Sequence, residues 1–157
     1  MASTTPPEDG RVAASRMFRE LTFSATAAHR NGELGAATVG QSLARWQILD
    51  TLSDQRLTMP QIARQVRQSR QSIKRVVDLL EAEGLIERFD NHGHRRSPLF
   101  TITGEGDRML GLLAASVSDW YAFVLERMPA EEIRALTDQL AHLRTIADEY
   151  HQLAASD

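Results

Sequence analysis

Apolar residues recur every three or four positions through most of the chain, which is the spacing of amphipathic helices. The pattern predicts a first helix over residues 11–30 and a glycine-containing loop over 31–41. Ser42 can cap a second helix, because a serine hydroxyl accepts a hydrogen bond from a free N–H of the first turn. The apolar face of this second helix consists of Leu43, Trp46, Leu49 and Leu52.

Two short helices joined by a tight turn are predicted next. Thr58 and Pro60 suit the start of the first helix. Ser69 caps the second, which covers residues 70–83 and ends at Gly84. Their buried faces would be Ile62, Ala63 and Val66 in the first helix, and Ile73, Val76, Val77 and Leu80 in the second. This is the spacing of a helix-turn-helix, whose second helix enters the major groove of DNA.

The periodicity then changes from helical to extended. Residues 85–89 and 99–102 are predicted as two strands, joined by a hairpin tip over 90–98 that contains turn-forming and basic residues. Thr103 caps a long helix predicted to reach about Arg127, and the last helix follows Pro129. Heptad-like apolar series run along both helices: Leu110, Leu113, Val117, Trp120 and Val124, then Ile133, Leu136, Leu140, Leu143, Ala147 and Tyr150. A second subunit is the simplest cover for these stripes.

Composition places the chain among ordinary globular proteins. It has 157 residues, of which 42% are hydrophobic and 25% charged, and its net charge is −3. The sequence contains no cysteine, which excludes disulfides, thiolate metal sites and cysteine nucleophiles. No stretch approaches the ~18 apolar residues of a membrane span. The polar, proline-containing residues 1–10 do not resemble a secretory signal, so we expect a cytoplasmic protein.

Positive charge is concentrated in the helix-turn-helix. Between Asp54 and Asp78 there are six basic residues and no acidic one. Basic residues in such an element bind phosphates, while arginine and glutamine also read guanine and adenine edges. The predicted DNA-binding residues are Arg67, Ser69, Arg70, Gln71, Ser72, Lys74 and Arg75 in the helix-turn-helix, with His94, Arg95 and Arg96 at the hairpin tip.

The ordered motifs resemble those of the MarR family. Matching segments include Ser42–Leu49, the run from Lys74 through Glu81, Gly84–Ile86 and Arg95–Ser97. The resemblance implies a mainly α fold with a small β-hairpin wing, in which a homodimer binds a near-palindromic operator and acts as a repressor released by a small ligand. The polar residues 1–10 are expected to be a disordered N-terminal tail, and the resemblance divides the rest into a dimerisation helix and loop (11–41), a winged helix-turn-helix (42–106) and C-terminal dimerisation helices (107–157).

In similar proteins a small aromatic or phenolic effector binds between the first, second and fifth helices. The residues that could line such a site here are His29, Arg30, Arg45 and Trp46. Trp46 has the alternative of being an ordinary core residue. His92 and His94 alternate along a turn without a third ligand, so we expect no metal site, and no cofactor is predicted.

Two other functions compete with DNA binding. A winged helix can also serve as a protein-interaction or adaptor module, since a fold does not fix a function. An adaptor would expose apolar or mixed residues on the second helix of the helix-turn-helix, over residues 70–83. This chain exposes Arg70, Gln71, Lys74 and Arg75 there. An enzyme is not expected, because the sequence has no paired loop carboxylates, activated nucleophile or metal quartet.

Overall fold

The computed structural model describes residues 8–91, 93 and 97–155. The fold is mainly α-helical with one small antiparallel sheet, as the sequence predicted. In chain order the elements are α1 (Glu8–Thr38), α2 (Leu43–Thr51), β1 (Leu57–Thr58), α3 (Met59–Gln65), α4 (Arg70–Ala82), β2 (Ile86–Phe89), β3 (Leu99–Ile102), α5 (Gly104–Ser116), α6 (Ser118–Leu125) and α7 (Ala130–Ala154).

The sheet has the strand order β1-β3-β2. Leu57 pairs with Phe100, and Arg88 pairs with Phe100 from the other side. The two-residue strand β1 therefore adds a third strand to the hairpin. Phe100 is almost fully buried at the centre of one continuous core. The other buried side chains of this core are Ala36, Ile48, Leu49, Leu52, Leu57, Ile62, Ala63, Ile73, Val77, Leu80, Leu85, Ile86, Ile102 and Leu113.

Local capping explains where the middle helices begin and end. Ser42, Ser69 and Thr103 each accept a hydrogen bond from a first-turn N–H of α2, α4 and α5, as the sequence predicted. At the end of α4, Gly84 takes a left-handed conformation with φ 73°. The backbone N–H of Leu85 then donates to the carbonyl of Leu80, which closes the helix in a Schellman turn.

The predicted end of the first helix near Gly32 is wrong. Helix α1 begins at Glu8, so residues 8–10 are helical and not part of a disordered tail, and it continues through Gly32 and Gly35 to Thr38. The left-handed turn comes only at Gly40. Tertiary packing explains the extension, because a Cβ on Gly35 would lie 2.6 Å from Cγ1 of Val117. Here glycine allows close approach to α5 instead of breaking the helix.

The single long helix predicted from Thr103 to Arg127 is also wrong. Helix α5 ends at Ser116, Val117 is its C-cap, and α6 starts at Ser118. The Ser116 hydroxyl donates to the carbonyl of Leu113 at 2.7 Å, which competes with the regular backbone pattern. Val117 itself is buried, so its packing favours a break at this position.

The chain forms two compact units, one ending at Val117 and the other beginning at Ser118. In the second unit, no residue of α6 or α7 is buried within the protomer. Leu136, Leu140, Ile146, Tyr150 and Leu153 of α7 are all more than 40% exposed. Within the described residues, no helix is both long enough and apolar enough to cross a membrane.

Candidate nucleic-acid interface

Helix α4 has one apolar side and one cationic side. Ile73, Val77 and Leu80 are buried in the core. The exposed side begins with the first residue of the helix and includes Arg70, Gln71, Ser72, Lys74 and Arg75 in its first two turns. Because the apolar side fixes the rotation of the helix, these five polar side chains face solvent together.

The turn before α4 is tight and contains a strained residue. The N–H of Gln68 donates to the carbonyl of Ala63 at 3.0 Å, which ends α3. Arg67 occupies the left-handed region with φ 53°, where most proteins have glycine. A side chain in this conformation costs about 1 kcal/mol. The chain thus places an arginine where glycine would be easier, directly before the exposed start of α4.

The two serines at the start of α4 form its cap. The Ser69 hydroxyl accepts from the N–H of Ser72 at 3.1 Å and lies 2.8 Å from the Ser72 hydroxyl. Both residues are exposed. The helix start therefore places two exposed hydroxyls at the N-terminal end of α4, an arrangement suited to phosphate oxygens.

The cations of α4 differ in their partners. Lys74 Nζ lies 2.5 Å from Oδ2 of Asp78, one helical turn further on. Arg70 and Arg75 have no ion pair within the described part of the chain. Asp78 was not among the predicted site residues, although its i, i+4 spacing from Lys74 is a signal that the sequence offers.

The base of the wing is held by side chains on both faces of the sheet. The Arg56 guanidinium lies 4.3 Å from the ring centroid of Phe89, and Arg88 lies 5.6 Å from that of Phe100. The Asn91 side chain donates to the carbonyl of Ser97 at 3.0 Å, which joins the two ends of the tip. The predicted DNA-binding residues of the wing, His94, Arg95 and Arg96, lie outside the described residues, as does His92.

An ion pair connects α2 with the end of α4. Arg45 donates to both carboxylate oxygens of Glu83, with Nη1 to Oε1 at 2.9 Å. These hydrogen bonds hold the pKa of Glu83 below its ordinary value, although partial burial opposes the effect. The stabilisation is therefore present at neutral pH and is lost as pH falls through the lowered pKa. No sequence pattern identifies this pair, because its members are 38 residues apart.

The predicted effector residues fall on two different elements. His29 and Arg30 are exposed on α1, where they line a shallow depression with Ala25 and Thr26. Trp46 on α2 is partly buried against the core. Among the described residues, no group of three His, Cys, Asp or Glu side chains is placed to hold a metal ion.

A model of the MarR family matches residues 40–97, the segment that contains α2, the helix-turn-helix and β2. A solved structure of a MarR family transcription regulator, SP03579, is 30% identical with a TM-score of 0.69, and the alignment covers 90% of this chain and 93% of that one. The chain belongs to the MarR family. It is a winged-helix transcription regulator by fold and by sequence.

Other comparisons show the same fold or a related sequence. A mutant of MarR from E. coli, solved in complex with operator DNA, has a TM-score of 0.71 at 17% identity and aligns over 82% of this chain and 93% of that one. That similarity concerns the fold. Uncharacterized proteins of Mycobacterium bovis and Mycobacterium tuberculosis are 41% identical over 96 residues, which make up 61% of this chain and 67% of each relative.

Proposed function

We propose that this MarR family protein is a sequence-specific regulator of transcription that binds a near-palindromic duplex as a homodimer and acts as a repressor. The observation that carries the proposal is the start of α4. Arg70 and Gln71 are its first two residues and are exposed, while Ile73 and Val77 fix the opposite side in the core. A recognition helix requires this combination of a rigid base and exposed groups that bind base edges.

The residues at this helix start divide into two chemical roles. Arg70 and Gln71 can make bidentate contacts, arginine to guanine and glutamine to adenine, and so carry sequence preference. Ser69, Ser72, Lys74 and Arg75 suit phosphate oxygens, which position the helix without reading sequence. An adaptor module would need neither set, so the salt dependence of binding separates the two functions.

The proposed function is tested by fluorescence anisotropy with a labelled duplex from the protein's own upstream region and a scrambled duplex of equal length. We expect tighter binding to the upstream duplex, and affinity that falls steeply with salt because bound cations release counterions. Gln71→Ala should lower the preference by about 1–3 kcal/mol, while Gln139→Ala on α7 should leave it unchanged. Binding that is insensitive to salt, or no binding to either duplex, would favour the adaptor function.

Exposed apolar residues on α1 and α7 support the homodimer. Phe18 and Phe23 on α1 are 52% and 61% exposed, and Leu140 on α7 is 42% exposed. Large apolar side chains in such numbers usually mark an association surface. Together with the heptad rhythm of α7, they favour a second copy of the same chain as the cover.

Replacing Leu140 and Leu143 together with aspartate should abolish the dimer. Two carboxylates in an apolar interface cost several kcal/mol, because a buried charge has no partner there. Light scattering measures the mass, and circular dichroism measures whether the monomers keep their helices. A matched control is His142→Asp with Thr145→Asp, which introduces two aspartates at exposed positions of α7 outside its apolar series. A stable dimer of the Leu140/Leu143 variant would contradict the proposed interface.

A small aromatic or phenolic effector completes the proposal. His29 and Arg30 offer a hydrogen-bonding ring and a cation at the surface of α1. Arg45 could take part only in a limited way, since its two terminal nitrogens bind Glu83. Its buried Nε–H and the buried Oε1 of Gln41 have no hydrogen-bond partner within the described residues, and these groups support a polar contact near Trp46.

A further inference from the structure

The recognition helix contains a carboxylate that neutralises one of its own cations. Lys74 Nζ and Asp78 Oδ2 are 2.5 Å apart, and the two side chains are 66% and 46% exposed. Asp78 is the first acidic residue after Asp54, at the end of the otherwise acid-free stretch. A negative charge on the exposed side of a helix that binds DNA repels the phosphates that surround it.

The pair has little value as a stabilising device. Exposed lysine–carboxylate pairs one turn apart add only slightly to helix stability, and the order with lysine first is the less favourable one. Helix α4 is already held by the buried Ile73, Val77 and Leu80. We therefore expect Asp78 to affect DNA binding more than it affects the stability of α4.

In the ion pair, Lys74 is directed towards the next turn of α4. Arg70 and Arg75 are also exposed but have no ion pair within the described part of the chain. To bind a phosphate, Lys74 must give up the carboxylate first. The exchange replaces one anionic partner by another, so its net gain is smaller than that of a lysine without a partner.

We propose that Asp78 limits the sequence-independent affinity of this protein for DNA by holding Lys74 in an ion pair. The inference rests on the proposed function. Lysine binds phosphate as a point charge and adds affinity for any duplex, whereas arginine and glutamine also read bases. Restraining this one cation weakens the competition from the many nonspecific sites of a genome. More of the remaining affinity then comes from the groups that read sequence.

The test is Asp78→Asn with a random-sequence duplex of 30 base pairs as the probe, measured by anisotropy between about 50 and 200 mM salt. We expect nonspecific affinity to rise by about threefold for each subunit that binds, because breaking an exposed pair costs a factor of that size. The slope of log affinity against log salt should steepen by up to about 0.9 for each subunit, because Lys74, which the ion pair restrains in the unmodified protein, then binds phosphate in more of the complexes.

The matched control is Asp138→Asn, which makes the same change in net charge on an exposed position of α7. It should change affinity and slope much less than Asp78→Asn does. A second pair of variants tests whether Asp78 acts through Lys74. These are Lys74→Ala alone and Lys74→Ala combined with Asp78→Asn. If the carboxylate acts through Lys74, the gain from Asp78→Asn should shrink by at least half in the Lys74→Ala background.

Two results would overturn the inference. One is an equal change of nonspecific affinity in Asp78→Asn and Asp138→Asn, which would mean that Asp78 acts only through the net charge of the protein. The other is a gain from Asp78→Asn that is the same with and without Lys74, which would leave direct repulsion of phosphates as the cause. Failure of the proposed function is distinguishable from both, because the unmodified protein would then bind neither this duplex nor the upstream one.

Discussion

Replacing Gly106 with alanine is expected to destabilise the fold by about 3 kcal/mol, the upper end of the usual cost of overpacking a core. A Cβ at this position would overlap the carbonyl oxygen of Leu85 and lie 2.6 Å from Cγ1 of Ile102. The obstructing atom is part of the backbone, so a side-chain rotation cannot relieve the clash. The Leu85 carbonyl also accepts from the N–H of Thr103 at 3.0 Å, which restrains it further.

The substitution should also disturb the end of α4, because the Gly106–Leu85 contact lies directly after that helix. The Thr103 hydroxyl donates to the carbonyl of Gly84 at 2.7 Å and caps α5 through the N–H of Gly106. Denaturant unfolding followed by circular dichroism measures the effect. The matched control is Gly104→Ala, two residues earlier in the same first turn, where a Cβ meets nothing within 4 Å. It should leave stability unchanged or raise it by up to about 1 kcal/mol. Equal stability of the two variants would contradict the close packing at Gly106.

The bounds and the exposed side of α4 could be predicted from the sequence, because they depend on interactions between residues close together in the chain. Ser69 and Gly84 act through hydrogen bonds and backbone conformation within a few residues, so the bounds of α4 followed from the sequence. The exposed set on α4 followed as well, because the periodicity of Ile73, Val77 and Leu80 determines which residues face away from the core. In the candidate interface, the same helical spacing could also have revealed Asp78 as the partner of Lys74.

Tertiary contacts account for what the sequence did not reveal. Gly35 was interpreted as part of a loop, but its missing side chain serves close packing against Val117. Helix α5 ends after Ser116, where the sequence has no proline or glycine that would predict a helix end. The end coincides with the burial of Val117. The pairing of Arg45 with Glu83 depends on the packing of α2 against α4. Such contacts join residues far apart in sequence, and their spacing carries no periodic signal.

The loss of two arginines from α4 should have the largest effect on DNA binding. Arg70 and Arg75 are exposed and have no ion pair within the described part of the chain, so no other contact needs to be broken when they bind. In the double variant Arg70→Ala/Arg75→Ala, affinity for the upstream duplex should fall roughly 100-fold or more, since the base contact of Arg70 is worth about 1–3 kcal/mol and the lost phosphate contact of Arg75 adds to it. The core lies on the opposite side of the helix, so stability and dimer mass should not change.

The central claim is that α4 binds DNA, and its most direct test is the salt dependence of DNA affinity in two double variants. Arg70→Ala/Arg75→Ala is compared with Arg134→Ala/Arg144→Ala, which removes the same charge from α7. Both proteins are first shown to be folded and of equal mass by circular dichroism and light scattering. We predict that the slope of log affinity against log salt falls by about 0.9 for each phosphate contact that the α4 variant loses, while the α7 variant keeps the original slope. Equal slopes and equal affinities in the two variants would contradict the assignment of α4 as the DNA-binding helix.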